Sequence, residues 1–168
     1  MMDKVKTLFD ALQEGFADIA GVAHCSAFPK RRDDIRLPAV LIDLVEIEPG
    51  RDPGTGELAL TTHWEARILF SDQEPQWHGW ALVQQAMSWL YNHHWSEINI
   101  GRANIKQATP DHFSPELQGH SIWLLEWTHA VRVGDNLWSG EDAIPSIINV
   151  GWGDGSYSDS GAADELSI

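Results

Sequence analysis

The pattern of apolar and polar positions is clearest over residues 37–70, LPAVLIDLVEIEPGRDPGTGELALTTHWEARILF. Ala39 to Glu48 is almost continuously apolar, which predicts a strand buried on both faces. Leu58, Leu60, Thr62, Trp64, Ala66, Ile68 and Phe70 then alternate with Glu57, Thr61, His63, Glu65 and Arg67, the period of a strand with one core face and one wet face. Pro38 stands at the entrance of the first strand, where a missing N–H costs the ladder little. Between the strands lie Pro49, Gly50, Pro53, Gly54 and Gly56, too many residues for a two-residue turn. The pair is therefore expected to form a long hairpin whose tip projects past the sheet. Glu48, Arg51 and Asp52 flank that tip and are the candidate groups for contact with a partner.

Helical spacing appears on either side. Val5, Leu8, Phe9, Leu12, Phe16 and Ile19 share one face of a helix predicted over 3–20, with Gly21 as its stop. A second helix is predicted from about Pro75 to Asn92, capped by Ser71 or Asp72, with Trp77, Trp80, Val83, Met87, Leu90 and Tyr91 as its apolar stripe. Trp89 lies off that stripe, so it either packs at the boundary or contacts another subunit. Residues 97–108 read as a strand made irregular by Gly101. Ser121 to Val133 reads as the last strand, with Trp123, Leu125, Trp127, His129, Val131 and Val133 on one face. The short AHCSAF segment at 23–28 has strand character as well. Together these predict an α+β fold: a four-stranded, mostly antiparallel sheet with a long β-hairpin, packed against two helices.

Composition shifts after Val133. Residues 134–168 contain seven acids and no Lys or Arg, half of the net charge of -14, and are rich in Gly and Ser. The expected organisation is an α+β domain over 1–133 followed by an acidic arm or tail over 134–168, partly disordered. Ile144, Pro145, Ile147, Ile148, Val150 and Trp152 make the inner part of that arm too apolar for a free tail. A chain this acidic gains no nucleic-acid affinity from bulk charge, because counterion release needs cations. Nine Trp point either to a Trp-rich core or to a protein interface. No run of residues approaches the ~18 apolar positions of a membrane span. MMDKVKTLFDALQEG has helical spacing rather than the apolar block of a signal peptide.

Candidate chemistry changes this picture little. Cys25 is the only cysteine, so no intrachain disulfide forms and intracellular synthesis fits. It follows His24, but neighbours on a strand point to opposite faces, and a packing role is expected for both. His93-His94 suits a helix C-terminus better than a metal, since adjacent His do not share a face. His63 and His129, each in a predicted strand, are candidates to lie near each other across the sheet. Lys30, Arg31 and Arg32 run into Asp33 and Asp34; they form a solvated loop or a contact with an acidic neighbour. No phosphate loop, nucleophile elbow or paired carboxylates appear, so no enzyme activity, catalytic residue, cofactor or metal is expected.

A Leu-Pro-Ala-Val-Leu-Ile strand entered through Pro38 leads to an acidic, Gly-rich tip. A return strand ends in Trp-Glu-Ala-Arg-Ile-Leu-Phe, and a Trp-containing amphipathic helix follows. Over roughly residues 3–133 this order resembles the tail terminator, or tail-tube capping, proteins of long-tailed bacteriophages and related particles. The resemblance implies a virion protein assembled in the host bacterial cytoplasm. It further implies a ring, typically a hexamer, that caps the tail tube, stops its polymerisation and offers a surface to head–tail connector or neck proteins. The sheath is a further partner if the tail contracts, and DNA passes through the ring without specific binding. Residues 134–168 exceed the family pattern. A neck, connector or baseplate component is the alternative within the structural class, and a small host protein-binding module lies outside it.

Overall fold

The structure, a computed structural model, describes residues 4–28, 35–95, 100–112 and 120–139. Residues 1–135 form one compact unit and residues 136–168 a second. Of the second unit only a turn is described, closed by Ser139 N–H to the Asn136 carbonyl (3.2 Å) and Trp138 N–H to Asn136 Oδ1 (2.8 Å).

The first unit is an α+β sandwich. Its elements in chain order are α1 (Lys4–Ala17), β1 (His24–Ala27), β2 (Ala39–Pro49), β3 (Leu58–Phe70), α2 (Gln76–Asn92), β4 (Asn104–Pro110) and β5 (Ser121–Val133). The sheet has five strands in the order β1-β2-β3-β5-β4, not the four expected. The additional one is β1, which pairs parallel with β2 at the edge and makes the sheet mixed; all other pairs are antiparallel. At four residues β1 is too short to show a period. The third predicted strand begins later, at Asn104, with Ile100 joined to Val131 by a single bridge.

One face of the sheet carries the core. Leu8, Leu12 and Phe16 of α1 and Leu82, Val83, Ala86 and Leu90 of α2 close over Val40, Ile42, Trp64, Ala66, Ile68, Leu125, Trp127 and Val131. Trp64 and Trp127 are register partners in β3 and β5 and stack at 6.5 Å. Phe9 stacks on the outer side of Trp64 at 6.4 Å, and Phe16 meets Trp127 edge-on at 5.9 Å. The polar atoms inside this cluster are partly matched. The Trp64 indole N–H donates to the Thr62 hydroxyl (2.9 Å), which donates in turn to the His129 carbonyl (3.3 Å). On the other face a smaller cluster gathers Ala39, Leu41, Leu69 and Ile122 under Phe28, Ile35 and Leu37.

Two apolar patterns resolve differently from expectation. Only Ala39–Ile42 of β2 is buried, where β1 covers its edge; from Glu46 to Pro49 the strand is exposed. A β-bulge at Val45 shifts the register between Leu44 and Glu46. An extra residue turns the side chains after it to the other parity. The core side therefore reads Val40, Ile42, Leu44, then Ile47, and the wet side Asp43, Glu46, Glu48. In α2 the buried stripe is Gly79, Leu82, Val83, Ala86 and Leu90, while Trp77, Trp80 and Tyr91 face outward. The helix is rotated because its smallest residues sit at the closest approach to the sheet. A Cβ on Gly79 would stand 2.2 Å from the Phe70 ring. Neither expected cap bonds the helix: Pro75 occupies the N-cap position with no side-chain bond, the Ser71 hydroxyl accepts from Gln73 N–H at 3.1 Å, and Asp72 accepts from the Ser121 hydroxyl.

Candidate interaction surfaces

Each sequence-predicted site residue falls on one of two regions or outside the described chain. Lys30, Arg31 and Arg32 lie outside the described residues. Glu48, Arg51 and Asp52 are together at the hairpin tip and exposed; Trp89 is on α2, half-buried.

The tip is an ordered turn. Gly50 N–H donates to the Ala59 carbonyl (2.9 Å), closing the ladder, and Asp52 Oδ1 accepts from Gly54 N–H (2.8 Å). Gly54 and Gly56 have φ of 70° and 82°, which a residue with a Cβ rarely adopts, so the two glycines fix the bend. Glu48 Oε1 is 2.9 Å from His63 Nε2 across the ladder. Of the three candidates Asp52 holds the turn, Glu48 pairs with His63 and Arg51 is exposed. Behind the tip, Val45, Ile47 and Leu58 are 47%, 49% and 58% exposed. Past Ile42, no strand among the described residues covers the outer edge of β2. The bulge and the charges of Asp43, Glu46 and Glu48 guard that edge against uncontrolled pairing, yet its apolar side chains remain in water.

Trp89 packs within its own chain. Its ring lies 5.0 Å from Phe16, 5.7 Å from Trp95 and 4.9 Å from His93, directly over Gly15. It closes one wall of a cleft of about 750 Å³ between α1 and α2, with Glu14, Asp18, Asn92 and His93 around the mouth. The cleft depends on Gly15, because a Cβ there would stand 1.7 Å from the Trp89 ring. Alanine exceeds glycine in helix propensity by about 1 kcal/mol. The enforced displacement of Trp89 outweighs this, at about 1–3 kcal/mol for an overpacked contact. Gly15→Ala is therefore expected to lower the melting temperature by several degrees in a thermal denaturation followed by circular dichroism. A higher melting temperature would show that Trp89 does not rest on Gly15.

The titratable groups argue for packing. Cys25 faces the α1 side of the sheet beside Val40, its register partner. Burial pushes its thiol up to about 12, so the thiolate needed for nucleophilic chemistry is not formed near neutrality. His24 turns the other way, with Nε2 3.0 Å from the Ser26 hydroxyl. His63 and His129 are on adjacent strands but on opposite faces: Thr62, not His63, is the partner of His129. His129 is buried, its Nδ1–H donating to the Gly101 carbonyl at 2.8 Å and its ring 4.8 Å from that of Trp95. Sequence reasoning had no signal for this contact, since Gly101 is 28 residues away. On the helix-free face Arg67 bonds Glu65 (3.0 Å) and Asp111 (3.3 Å) and lies over the Phe28 ring at 4.6 Å. Among the described residues no three His, Cys, Asp or Glu side chains gather to hold a metal, and no helix is long and apolar enough to cross a membrane.

These features define a two-layer α+β domain with a long hairpin and apolar residues left exposed on hairpin and helix. No family model matches the chain, and no curated protein matches it. Among solved structures it is similar to the sheath/tube terminator of an extracellular contractile injection system, PVC, in the extended state. The TM-score is 0.47 at 16% identity over 95% of this chain, which spans 65% of the length of the other.

Proposed function

We propose that this protein is a structural component of a phage-type tail, a terminator whose copies form a ring on the last ring of the tail tube and stop its growth. The observation that carries the reading is the outer half of the hairpin, where Val45, Ile47 and Leu58 stay exposed. Exposed apolar side chains on an unpaired strand edge favour a partner that removes them from water. The element order that resembles the terminators supports the same class. Outward Trp77, Trp80 and Tyr91 supply a second apolar patch on α2. Two unlike patches on one subunit suit a head-to-tail contact, which closes into a ring when the rotation allows. The acidic chain suits a channel through which DNA slides, because like charge disfavours sticking. In this reading the ring presents its other side to neck or connector proteins, and to a sheath where the tail contracts.

The test is mass by light scattering, alone and with the tube protein, together with negative-stain images of tube length. The full-length protein is expected to bind tube ends and to limit their length. Ile47→Lys and Leu58→Lys should leave stability within about 0.5 kcal/mol, as surface changes do, and weaken tube binding by about tenfold or more. A strict monomer with no affinity for tube protein would rule out the terminator reading. Lysine variants that cap as well as the parent would move the contact away from the hairpin.

A further inference from the structure

Among the described residues the sheet has two open edges, and they carry opposite charge. Past Ile42 the outer edge of β2 is open from Asp43 to Pro49, DLVEIEP, which holds Asp43, Glu46 and Glu48 and no Lys or Arg. At the far side of the sheet β4, NIKQATP, holds Lys106 and no acid, and Arg102 stands just before it. Both bases are exposed. β4 has seven residues, the same length as the open stretch of β2. The edges also agree face by face. On the helix side β2 presents Ile47, and β4 presents Ile105 and Ala108, whose register partners Trp127 and Leu125 are core residues. A groove of about 520 Å³ opens there between α2 and β4, with Trp80, Met87 and Tyr91 in its walls and no charged side chain. On the helix-free side β2 presents Asp43, Glu46 and Glu48. On the same side β4 presents Lys106 and Gln107, which stand opposite Glu126 at a bulge, and Thr109 opposite Leu124.

We propose that the outer half of β2 in one copy pairs antiparallel with β4 of a second copy, so that the sheet continues from subunit to subunit. Within one chain the two strands cannot meet, because β3 and β5 hold them three strand spacings apart, about 14 Å. Charge selects the pairing. β2 against β2 sets acids against acids, β4 against β4 sets base against base, and only the unlike pair joins opposite signs. Direction follows from the strand order. With β2 beside β4 and the apolar sides aligned, the second copy keeps the orientation of the first. Three antiparallel steps separate β2 from β4, so the two strands then run in opposite directions. Such a contact is head-to-tail, the geometry that closes into a ring when the rotation allows. It brings Ile47 against Ile105, Ala108 and the apolar groove, and sets Glu46 and Glu48 beside Lys106. The bulges at Val45 and Lys106 disfavour indiscriminate edge pairing, which leaves the match of charge and face to decide which strand is admitted. The inference deepens the ring reading by naming its two surfaces, and it rests on that reading only for the repetition of copies.

Cysteine cross-linking of the full-length protein tests it, with Cys25→Ser as the background. One variant carries Glu46→Cys with Gln107→Cys and another Glu46→Cys with Thr109→Cys, so that two registers are sampled on one face. All three positions are exposed. A disulfide needs Cα atoms within about 7 Å, so strands about 14 Å apart in one chain link only between copies. Mild oxidation is expected to turn at least one double variant into a ladder of covalent dimers, trimers and higher species. Chains with any one of these cysteines alone should give at least about tenfold less product. No ladder at protein concentrations from about 10 μM to 1 mM, the range of weak contacts, overturns the proposal, as does a single-cysteine dimer as abundant as the ladder. As a second measurement, Lys106→Glu should raise the dissociation midpoint about fivefold, the scale of an exposed charge pair turned into a repulsion. Adding Glu46→Lys to the same chain should restore it, because each contact joins Glu46 of one copy to Lys106 of another. An unchanged midpoint in Lys106→Glu, or a double variant weaker still, overturns it equally. A ladder without tube binding would leave this contact standing and remove the terminator reading; tube capping without a ladder would do the reverse.

Discussion

Trp127→Ala is expected to remove about 3–5 kcal/mol from the unfolding free energy, the range for truncating a buried large aromatic. Trp127 is 1% exposed, stacked on Trp64 and met edge-on by Phe16, so its removal opens a hole bounded by both helices and the sheet. Aromatic contacts of this kind add about 0.5–1.5 kcal/mol each beyond buried area, and alanine forfeits two of them. A domain stability of about 5–15 kcal/mol makes such a loss a large fraction of the total. The control is Trp77→Ala on the outward face of α2, expected to change stability by less than about 0.5 kcal/mol. Urea titrations of both variants decide it, read as a shift in midpoint at constant slope. Equal midpoints for the two variants would mean that the stacked pair is not the centre of the core.

That contrast shows how far the sequence alone reaches. The alternation from Leu58 to Phe70 places Trp64 on the core side, and the odd-numbered face of Ser121–Val133 places Trp127 there too, because a strand's period of two survives in any register. The hairpin and both helices are legible for the same reason. Spacing does not reveal the bulge at Val45: one extra residue changes parity, and an unbroken run such as VLIDLVEIE reads as buried on both sides when half of it is not. Nor does it reveal the rotation of α2. Hydrophobicity selects Trp77, Trp80 and Tyr91, whereas packing against Phe70 selects Gly79, a residue that no hydrophobic count would place inside. The surfaces are legible in the same uneven way. Pro49 to Gly56 announces a turn by its residues, but the exposure of Ile47 and Leu58, both on the core-side parity of their strands, is tertiary information. Trp89 was open to two roles from sequence, and the ring's seat over Gly15 assigns it an intrachain contact.

Acid should destabilise the domain through His129. Burial lowers the imidazole from 6.5 to about 4; the bond to the Gly101 carbonyl opposes this shift and the charge of nearby His93 adds to it. The folded state therefore holds the ring neutral down to about pH 4 while the unfolded chain takes up a proton near pH 6.5. Stability rises with pH wherever the unfolded state binds more protons. The contribution from His129 is thus fully present above about pH 6.5 and is lost progressively as pH falls to about 4, where the folded ring titrates as well. The whole span corresponds to about 3 kcal/mol at roughly 1.4 kcal/mol for each pH unit. Other groups titrate over the same range, so the measurement is a difference. Unfolding free energies by urea titration at pH 7 and pH 4.5 should fall by about 2 kcal/mol more in the parent than in His129→Asn. The amide of that variant can still donate to Gly101 but takes up no proton. Such a variant is expected to be less stable than the parent at pH 7, because it is smaller than the ring packed against Trp95, and to close part of that gap in acid. Parallel losses in the two proteins between pH 7 and pH 4.5 would show that His129 is not held neutral by the fold.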